Sequence, residues 1–304
     1  MELHLETDAA GSAAGSVVDG ALEPLRPASG GVYRDEYVTV LRGPVPSGRE
    51  IVHTPHFTVH AGEPLAVTHL LDLEDLDEDL TGLLQSELFE PGWVRGAEMF
   101  ERLFTGIVIT CSADPLVAWE SFYRNTIERQ EAIGGHTGSA IEQFRPVHDH
   151  AVDLVVGESA LELGSCFGFL ALRLAAQGRA VTASDLSVGT MQLLGAVAPR
   201  LGTPLATLVA DAGHVPAADR SFDTVLAVHL LEHIDAPHGD RVLAEAVRLA
   251  DRRVIVGVPY EDVADETFGH VRTVGPDDLS RWGHATGLSF EVHEHHGGWL
   301  VIDR

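Results

Sequence analysis

From Leu161 to the end of the chain, short apolar runs alternate with stretches of helical periodicity, and few folds accept such an alternation. The runs ALELG, AVTASD, TLVAD, FDTVLAV and RVIVGVP read as strands, and segments 168–177, 187–200 and 238–250 between them read as helices. Strands separated by helices pair in parallel through crossovers, which predicts a doubly wound, Rossmann-like α/β sheet. The end differs: FEVHEHH and WLVIDR are two strands joined by Gly297 and Gly298, the pattern of a tight antiparallel hairpin.

Residues 1–30, rich in Ala, Gly, Ser and Pro, read as a flexible leader. The runs YVTVLRG, REIVHTPHFTVH and LAVTHLLDL, separated by the turns GPVPSG and AGEP, predict short strands of a smaller α+β accessory region over residues 31–110. Leu73, Leu76, Leu80, Leu83, Leu84 and Leu88 recur at helical spacing, and six acids between Asp72 and Asp79 surround the first turn. Acids there read as a solvated, dipole-compensating face rather than a metal site. Asp114 and Pro115 announce a second helix, with Leu116, Trp119, Phe122, Tyr123 and Ile127 behind them, and a third runs from Ile141 to Val152 after the break GGHTGS. The larger domain is expected over residues 111–304.

The 304 residues are 45% hydrophobic, enough for a well-cored globule, and no apolar stretch approaches the roughly 20 residues of a membrane helix. The N-terminus has no basic segment followed by an apolar one, so the expected compartment is the cytoplasm, with no membrane partner. Two cysteines, Cys111 and Cys166, make no metal knuckle and fit a reducing compartment. All twenty basic residues are arginine, which excludes lysine Schiff-base chemistry and a P-loop lysine. A net charge of −26 argues against a nucleic-acid partner, because such binding relies on basic side chains displacing counterions.

The segment ALELGSCFGF, residues 160–169, ends a strand in an acid and two glycines, and Asp185 ends the next strand. Glycines there let backbone pass close beneath a ligand and supply positive φ, while a carboxylate can accept from both hydroxyls of a ribose. In open α/β sheets ligands lie over the carboxyl ends of the strands, so Glu162, Gly164, Gly168, Asp185, Asp211 and His229 should outline one pocket. A dinucleotide turn would read G-x-G-x-x-G, but Cys166 stands at the middle glycine, and Asp211 suits an adenine amino group.

The order E-x-G-x-x-x-G, a ribose acid, then D-A-x-x-x-P before F-D is met by Glu162, Gly164, Gly168, Asp185, Asp211, Ala212, Pro216, Phe222 and Asp223. In this the chain resembles the class I S-adenosylmethionine-dependent methyltransferases over roughly residues 140–304. The resemblance implies a sheet ending in the predicted hairpin, S-adenosylmethionine as cofactor, and Glu162, Gly164, Gly168, Asp185, Leu186, Asp211 and Ala212 as its contacts.

His229-Leu-Leu-Glu232-His233 follows the fourth strand. Its H-x-x-E-H form is shared with a metallopeptidase class, a reading set aside because a methyltransferase-like strand precedes it. On a helix, spacings of three and four would bring the three side chains to one face. The segment resembles the E-x-x-E-H motif of ubiquinone-pathway and small-RNA 2′-O-methyltransferases, which carry a divalent metal, with His229 in place of a glutamate. That resemblance implies His229, Glu232, His233 and His270 as ligands for an ion such as Mg²⁺. Softer histidine ligands leave a metal-free base, His229 or His233, and a structural role open. Attack by a hydroxyl on a sulfonium methyl requires either a base or a Lewis acid.

Over nearly its full length, in ERLFTG, FYRNT, LGSCFGFL, HLLEHID, GHVRT and HEHHGGWL, the chain resembles the mycofactocin oligosaccharide methyltransferases. This implies O-methylation of a glucose in the oligoglucosyl chain of that peptide-derived redox cofactor, a small glycosylated substrate. Tyr123, Tyr260, Arg272, His295 and Trp299 are the candidate acceptor contacts. Two alternatives stay open: methylation of a quinone or small phenol, and a noncatalytic cofactor-binding module.

Overall fold

The computed structural model describes residues 23–43, 49–132, 139–265 and 269–304. The predicted leader lies outside them up to residue 22, as do most of the GPVPSG turn and of the GGHTGS break.

The accessory region is a five-stranded sheet in the order β1-β2-β5-β4-β3. Its strands are β1 (Val32–Arg34), β2 (Val38–Arg42), β3 (Arg49–His53), β4 (Phe57–Ala61) and β5 (Leu65–His69). α1 (Leu80–Leu84) continues as a π-helical turn over Gln85–Phe89, and α2 (Ala97–Thr110) follows. α2 lies close on β2: a Cβ at Gly106 would stand 2.7 Å from Cγ2 of Val40, so a glycine is required mid-helix.

The helix expected from Leu73 begins only at Leu80, and the acids precede it. Nor are they all solvated: Asp77 is buried, and both Asp77 and Asp79 pair with Arg129 at 2.7 Å. The sequence reading missed the partner because Arg129 lies on α3 (Pro115–Glu131), far along the chain. α3 starts as predicted, with Asp114 accepting from the Leu116 N–H at 2.9 Å and Pro115 in its first turn.

α4 (Ala140–Leu154) leads into a seven-stranded sheet of order β11-β12-β10-β9-β6-β7-β8. Its elements are β6 (Ser159–Leu163), α5 (Phe169–Ala176), β7 (Ala180–Asp185), α6 (Val188–Val197), β8 (Ala206–Val209), β9 (Phe222–Val228), α7 (Ala236–Leu249) and β10 (Ala250–Val258). α8 (Pro276–Thr286), β11 (Ser289–Glu294) and β12 (Gly298–Asp303) complete it. β8, β7, β6, β9 and β10 are parallel, while β12 runs antiparallel to both β10 and β11, the predicted hairpin. The strand order reverses between β6 and β9, which opens a crevice at their carboxyl ends. α8 was not foreseen, although Pro276 in the first turn, Asp278 accepting from the Gly275 N–H and left-handed Gly287 at the end bound it clearly.

One apolar cluster runs from Val38, Val40 and Phe57 of the accessory sheet through Phe104, Trp119 and Phe122 to Leu170 and Leu194. Each such aromatic buried contributes on the order of 2–3 kcal/mol, so the two sheets share much of their stability. A second cluster joins Val242 of α7 and Leu279 and Trp282 of α8 to the large sheet. Among the described residues no single helix is long and apolar enough to cross a membrane.

Candidate active site

The turn after β6 is built on positive-φ backbone. Gly164 (φ 67°), Cys166 (φ 48°) and Gly168 (φ 76°) all lie in the left-handed region, and Gly168 caps α5. A Cβ at Gly168 would stand 2.4 Å from Cδ2 of Leu194, so the glycine also lets α6 approach. The Cys166 N–H donates to Oδ2 of Asp185 at 2.9 Å, and Oδ1 of Asp185 accepts from the Ser187 N–H at 2.9 Å. This carboxylate therefore ties the glycine turn to the start of α6.

Glu162 is buried at the end of β6 and its Oε2 has no partner among the described residues. Burial pushes its pKa up to about 8, opposed by the Ala171 N–H and reinforced by Asp185. Leu186, Val188 and Val209 remain exposed around the ends of β7 and β8, apolar surfaces suited to a flat base. Asp211 lies two residues beyond β8; its Oδ1 accepts from the Gly213 N–H at 2.8 Å and sits 2.7 Å from Nε2 of His238. Burial opposes its ionisation, but these hydrogen bonds and Arg241 outweigh it and hold the pKa below the usual value. Ala212 beside it packs at the edge of the second apolar cluster.

His229 follows β9 directly with φ 53°, and its N–H donates to the Gly257 carbonyl of β10 at 2.8 Å. Leu231–His233 then form one 3₁₀ turn, not the expected helix, so the three side chains do not share a helix face. Ligand atoms of Glu232, His233 and His270 lie within 4.8 Å of one another. His229 stands outside this trio, its Nδ1 3.5 Å from Oε1 of Glu232, which corrects the expectation of four converging ligands.

Glu232 is 1% exposed, and neither carboxylate oxygen has a hydrogen-bond partner among the described residues. Burial pushes its pKa up to about 8. Burial likewise pushes His229 down to about 3, helped by His148, and His233 down to about 4, helped by His270. Both imidazoles are neutral near pH 7, the form that binds metal. A buried carboxylate without donors beside two histidines is costly alone and fits a divalent cation. Mixed nitrogen and oxygen donors suit borderline ions such as Zn²⁺, Mn²⁺ or Fe²⁺ at least as well as Mg²⁺.

Sequence reasoning missed the support of this trio. Nδ1 of His270 is 2.8 Å from Oε2 of Glu261, the Val271 N–H donates to the Glu232 carbonyl at 2.9 Å, and Phe144 of α4 packs on His229 at 5.4 Å between ring centres. His148, one helical turn beyond Phe144, has a buried Nδ1 and a pKa pushed down to about 4 by burial. The Phe144/His148 spacing was a visible but unspecific signal.

Three candidate acceptor contacts turn out to be framework. Tyr123 is fully buried and donates to the Phe167 carbonyl of the glycine turn at 2.7 Å. Trp299 is 1% exposed, donates to the His295 carbonyl at 2.8 Å and covers Gly257. Arg272 donates through Nε to the Leu231 carbonyl at 3.0 Å and lies over Trp282, bracing the 3₁₀ turn. The Tyr123 hydroxyl, the Trp299 indole N–H and the Arg272 Nε–H are engaged by backbone carbonyls, whereas Nη2 of Arg272 is buried with no hydrogen-bond partner among the described residues. Tyr260, whose ring closes on Gly298, and exposed His295, stacked on His150 at 4.3 Å, remain at the surface of the hairpin end.

Residues 161–253 match the protein-family model described as Methyltransferase domain. No curated protein matches the chain. Solved structures match in part. Magnesium protoporphyrin IX methyltransferase from Synechocystis PCC 6803 with bound SAH is 17% identical, with 60% of this chain and 94% of that chain covered and a TM-score of 0.45. A SAM-dependent methyltransferase from Aquifex aeolicus is 15% identical over 60% and 96%, TM-score 0.45, and another from Methanosarcina mazei 16% over 51% and 96%, TM-score 0.43. The matched segment, similar to a methyltransferase domain, carries the acid-and-glycine turn after β6 and lies in a Rossmann-like class I sheet that ends, beyond the match, in the antiparallel hairpin.

Proposed function

We propose that the protein is an S-adenosylmethionine-dependent O-methyltransferase acting on a sugar hydroxyl, a glucose of an oligosaccharide of the mycofactocin type. The observation that carries the O-methylation is the trio Glu232, His233 and His270 beyond the ends of β9 and β10, on the crevice side of the sheet that also holds the glycine turn. The sugar rests on the sequence resemblance given above.

Glu162, Asp185 and the turn Gly164–Gly168 hold the donor, Asp185 through its carboxylate at the end of β7 and Glu162 through Oε2, which has no partner among the described residues. Leu186 and Val209 flank the adenine, with Asp211 at its rim. Glu232, His233 and His270 would hold a divalent ion, which when bound supplies Lewis acidity to a hydroxyl of the acceptor. Glu261 orients the His270 ring through Nδ1. His229, its Nδ1 3.5 Å from Oε1 of Glu232, is the neighbouring candidate for the departing hydroxyl proton, though burial, which pushes its pKa down to about 3, makes it a weak base. Vicinal sugar hydroxyls suit a site with two neighbouring nitrogen ligands and one carboxylate.

Incubation with labelled S-adenosylmethionine and separate oligoglucosyl, phenolic and RNA acceptors tests the reading. Transfer to the oligoglucoside, lost on chelation and restored by a divalent ion, is the expected result. Transfer to the phenol alone would replace the sugar, and donor binding without transfer to any acceptor would point to a binding module.

A further inference from the structure

By chain position α2 belongs to the accessory region, yet one face of it runs along the crevice. At its start, a Cβ at Gly269 would stand 3.7 Å from Cβ of Ala97 and 3.9 Å from Nδ1 of His233, so its first turn abuts the histidine trio. Two turns on, Phe104 stacks on Phe167 of the glycine turn, 5.5 Å between ring centres and 27° between planes. Residues 97, 101 and 104 share one stripe of a helix, which sets Glu101 between these two contacts.

Glu101 is reached by solvent. Burial is nevertheless the main influence raising its pKa, with Glu98 and then Asp185 adding to it and Arg102 opposing. A side chain both open to water and deep among protein atoms is one that lines a cleft. Cys166 in the facing turn behaves alike: it is exposed, burial pushes its thiol up, and the charged groups acting on it are Asp185, Glu78 and Glu101, all acids. Arg102 is turned away, bonded to Asp35 at 2.6 Å and stacked on Tyr37 at 4.3 Å. On β6, two residues before Gly164, the 95%-buried Glu162, at 5% exposure, carries an Oε2 with no partner among the described residues, a carboxylate oxygen left for a ligand.

We propose that α2 is the roof of the donor cleft and that Glu101 favours the positively charged sulfonium donor over the neutral thioether left after transfer. The inference rests on the S-adenosylmethionine reading above. In the transfer a carbon–sulfur bond breaks and a carbon–oxygen bond forms; sulfur keeps the bonding pair, and the hydroxyl proton leaves to a base. The two ligands differ by one methyl and one positive charge, and a carboxylate in a partly desolvated cleft acts on the charge. An acidic roof therefore favours loading of donor and departure of product.

Calorimetric titration of the full chain with S-adenosylmethionine and with S-adenosylhomocysteine tests this. Glu101→Gln should weaken the donor about 5- to 10-fold and the product less than about 2-fold, while Glu50→Gln, exposed on the edge strand β3 of the accessory sheet, should change neither. Melting curves establish that the variants are folded. Equal losses for both ligands, or none, would overturn the proposal. Should Glu101→Gln fail to fold, the wild-type preference for donor over product is measured against ionic strength: it should shrink as salt rises, and a constant preference overturns the proposal. A wild-type protein that binds neither ligand would instead refute the donor reading itself.

Discussion

The Cys166 N–H donates to Oδ2 of Asp185 at 2.9 Å, so the turn that closes the first strand of the large sheet is anchored by the acid that closes the second. A residue that appears in sequence as a ribose ligand is thus also a latch for the glycine turn. Asp185→Ala should leave the melting temperature within a few degrees while weakening S-adenosylmethionine about 10- to 100-fold, read by calorimetry. Unchanged affinity would remove Asp185 from the donor site.

Tyr123 acts on the same turn from behind, through its bond to the Phe167 carbonyl. Tyr123→Phe should cost about 1 kcal/mol of stability and a few-fold in donor affinity, with the acceptor KM unchanged. A raised acceptor KM with normal donor binding would return Tyr123 to the acceptor site.

Glu232 has no hydrogen-bond partner at either oxygen among the described residues, in a site that buries it. Glu232→Gln should abolish retention of a divalent ion after dialysis, measured by elemental analysis, and lower turnover at least about 100-fold, with donor affinity preserved. Full metal retention in the variant would exclude Glu232 as a ligand.

His69 is 2% exposed with Nε2 2.8 Å from Oγ1 of Thr110, and burial pushes its pKa down to about 4. Between about pH 6.5, the unfolded value, and pH 4 the unfolded chain binds the proton that the folded chain refuses. Stability contributed by this histidine is therefore full above pH 6.5 and is lost progressively as pH falls towards 4. Urea unfolding should show a loss between pH 7 and pH 5 to which His69 contributes on the order of 2 kcal/mol. His69→Gln should shrink that loss; an unaltered pH dependence would show that His69 is protonated without cost.

Much of the proposed donor site was legible because its parts sit at strand ends, and strand ends are written locally. Glu162, Gly164, Gly168 and Asp185 could be placed by hydrophobic runs and their stops, and the terminal hairpin by Gly297 and Gly298. The acceptor side was read less well. Tyr123, Arg272 and Trp299 have the side chains of a sugar site, but Tyr123 and Trp299 spend their single polar atoms, and Arg272 its Nε, on backbone carbonyls that only packing brings near. The HLLEH segment has helical spacing, yet left-handed His229, pinned to Gly257, leaves room for one 3₁₀ turn and takes His229 out of the trio.

The sequence by itself determined the parallel sheet, its hairpin and the glycine turn after the first strand of that sheet, since period, caps and glycine positions act over a few neighbouring residues. Tertiary structure alone decided what stands over that turn. Glu101 lies in a stretch that reads as accessory helix, and it enters the cleft only because Phe104 stacks on Phe167 and Ala97 meets the backbone at Gly269. Contacts between segments so distant in the chain depend on which faces pack together, and no local pattern encodes that choice.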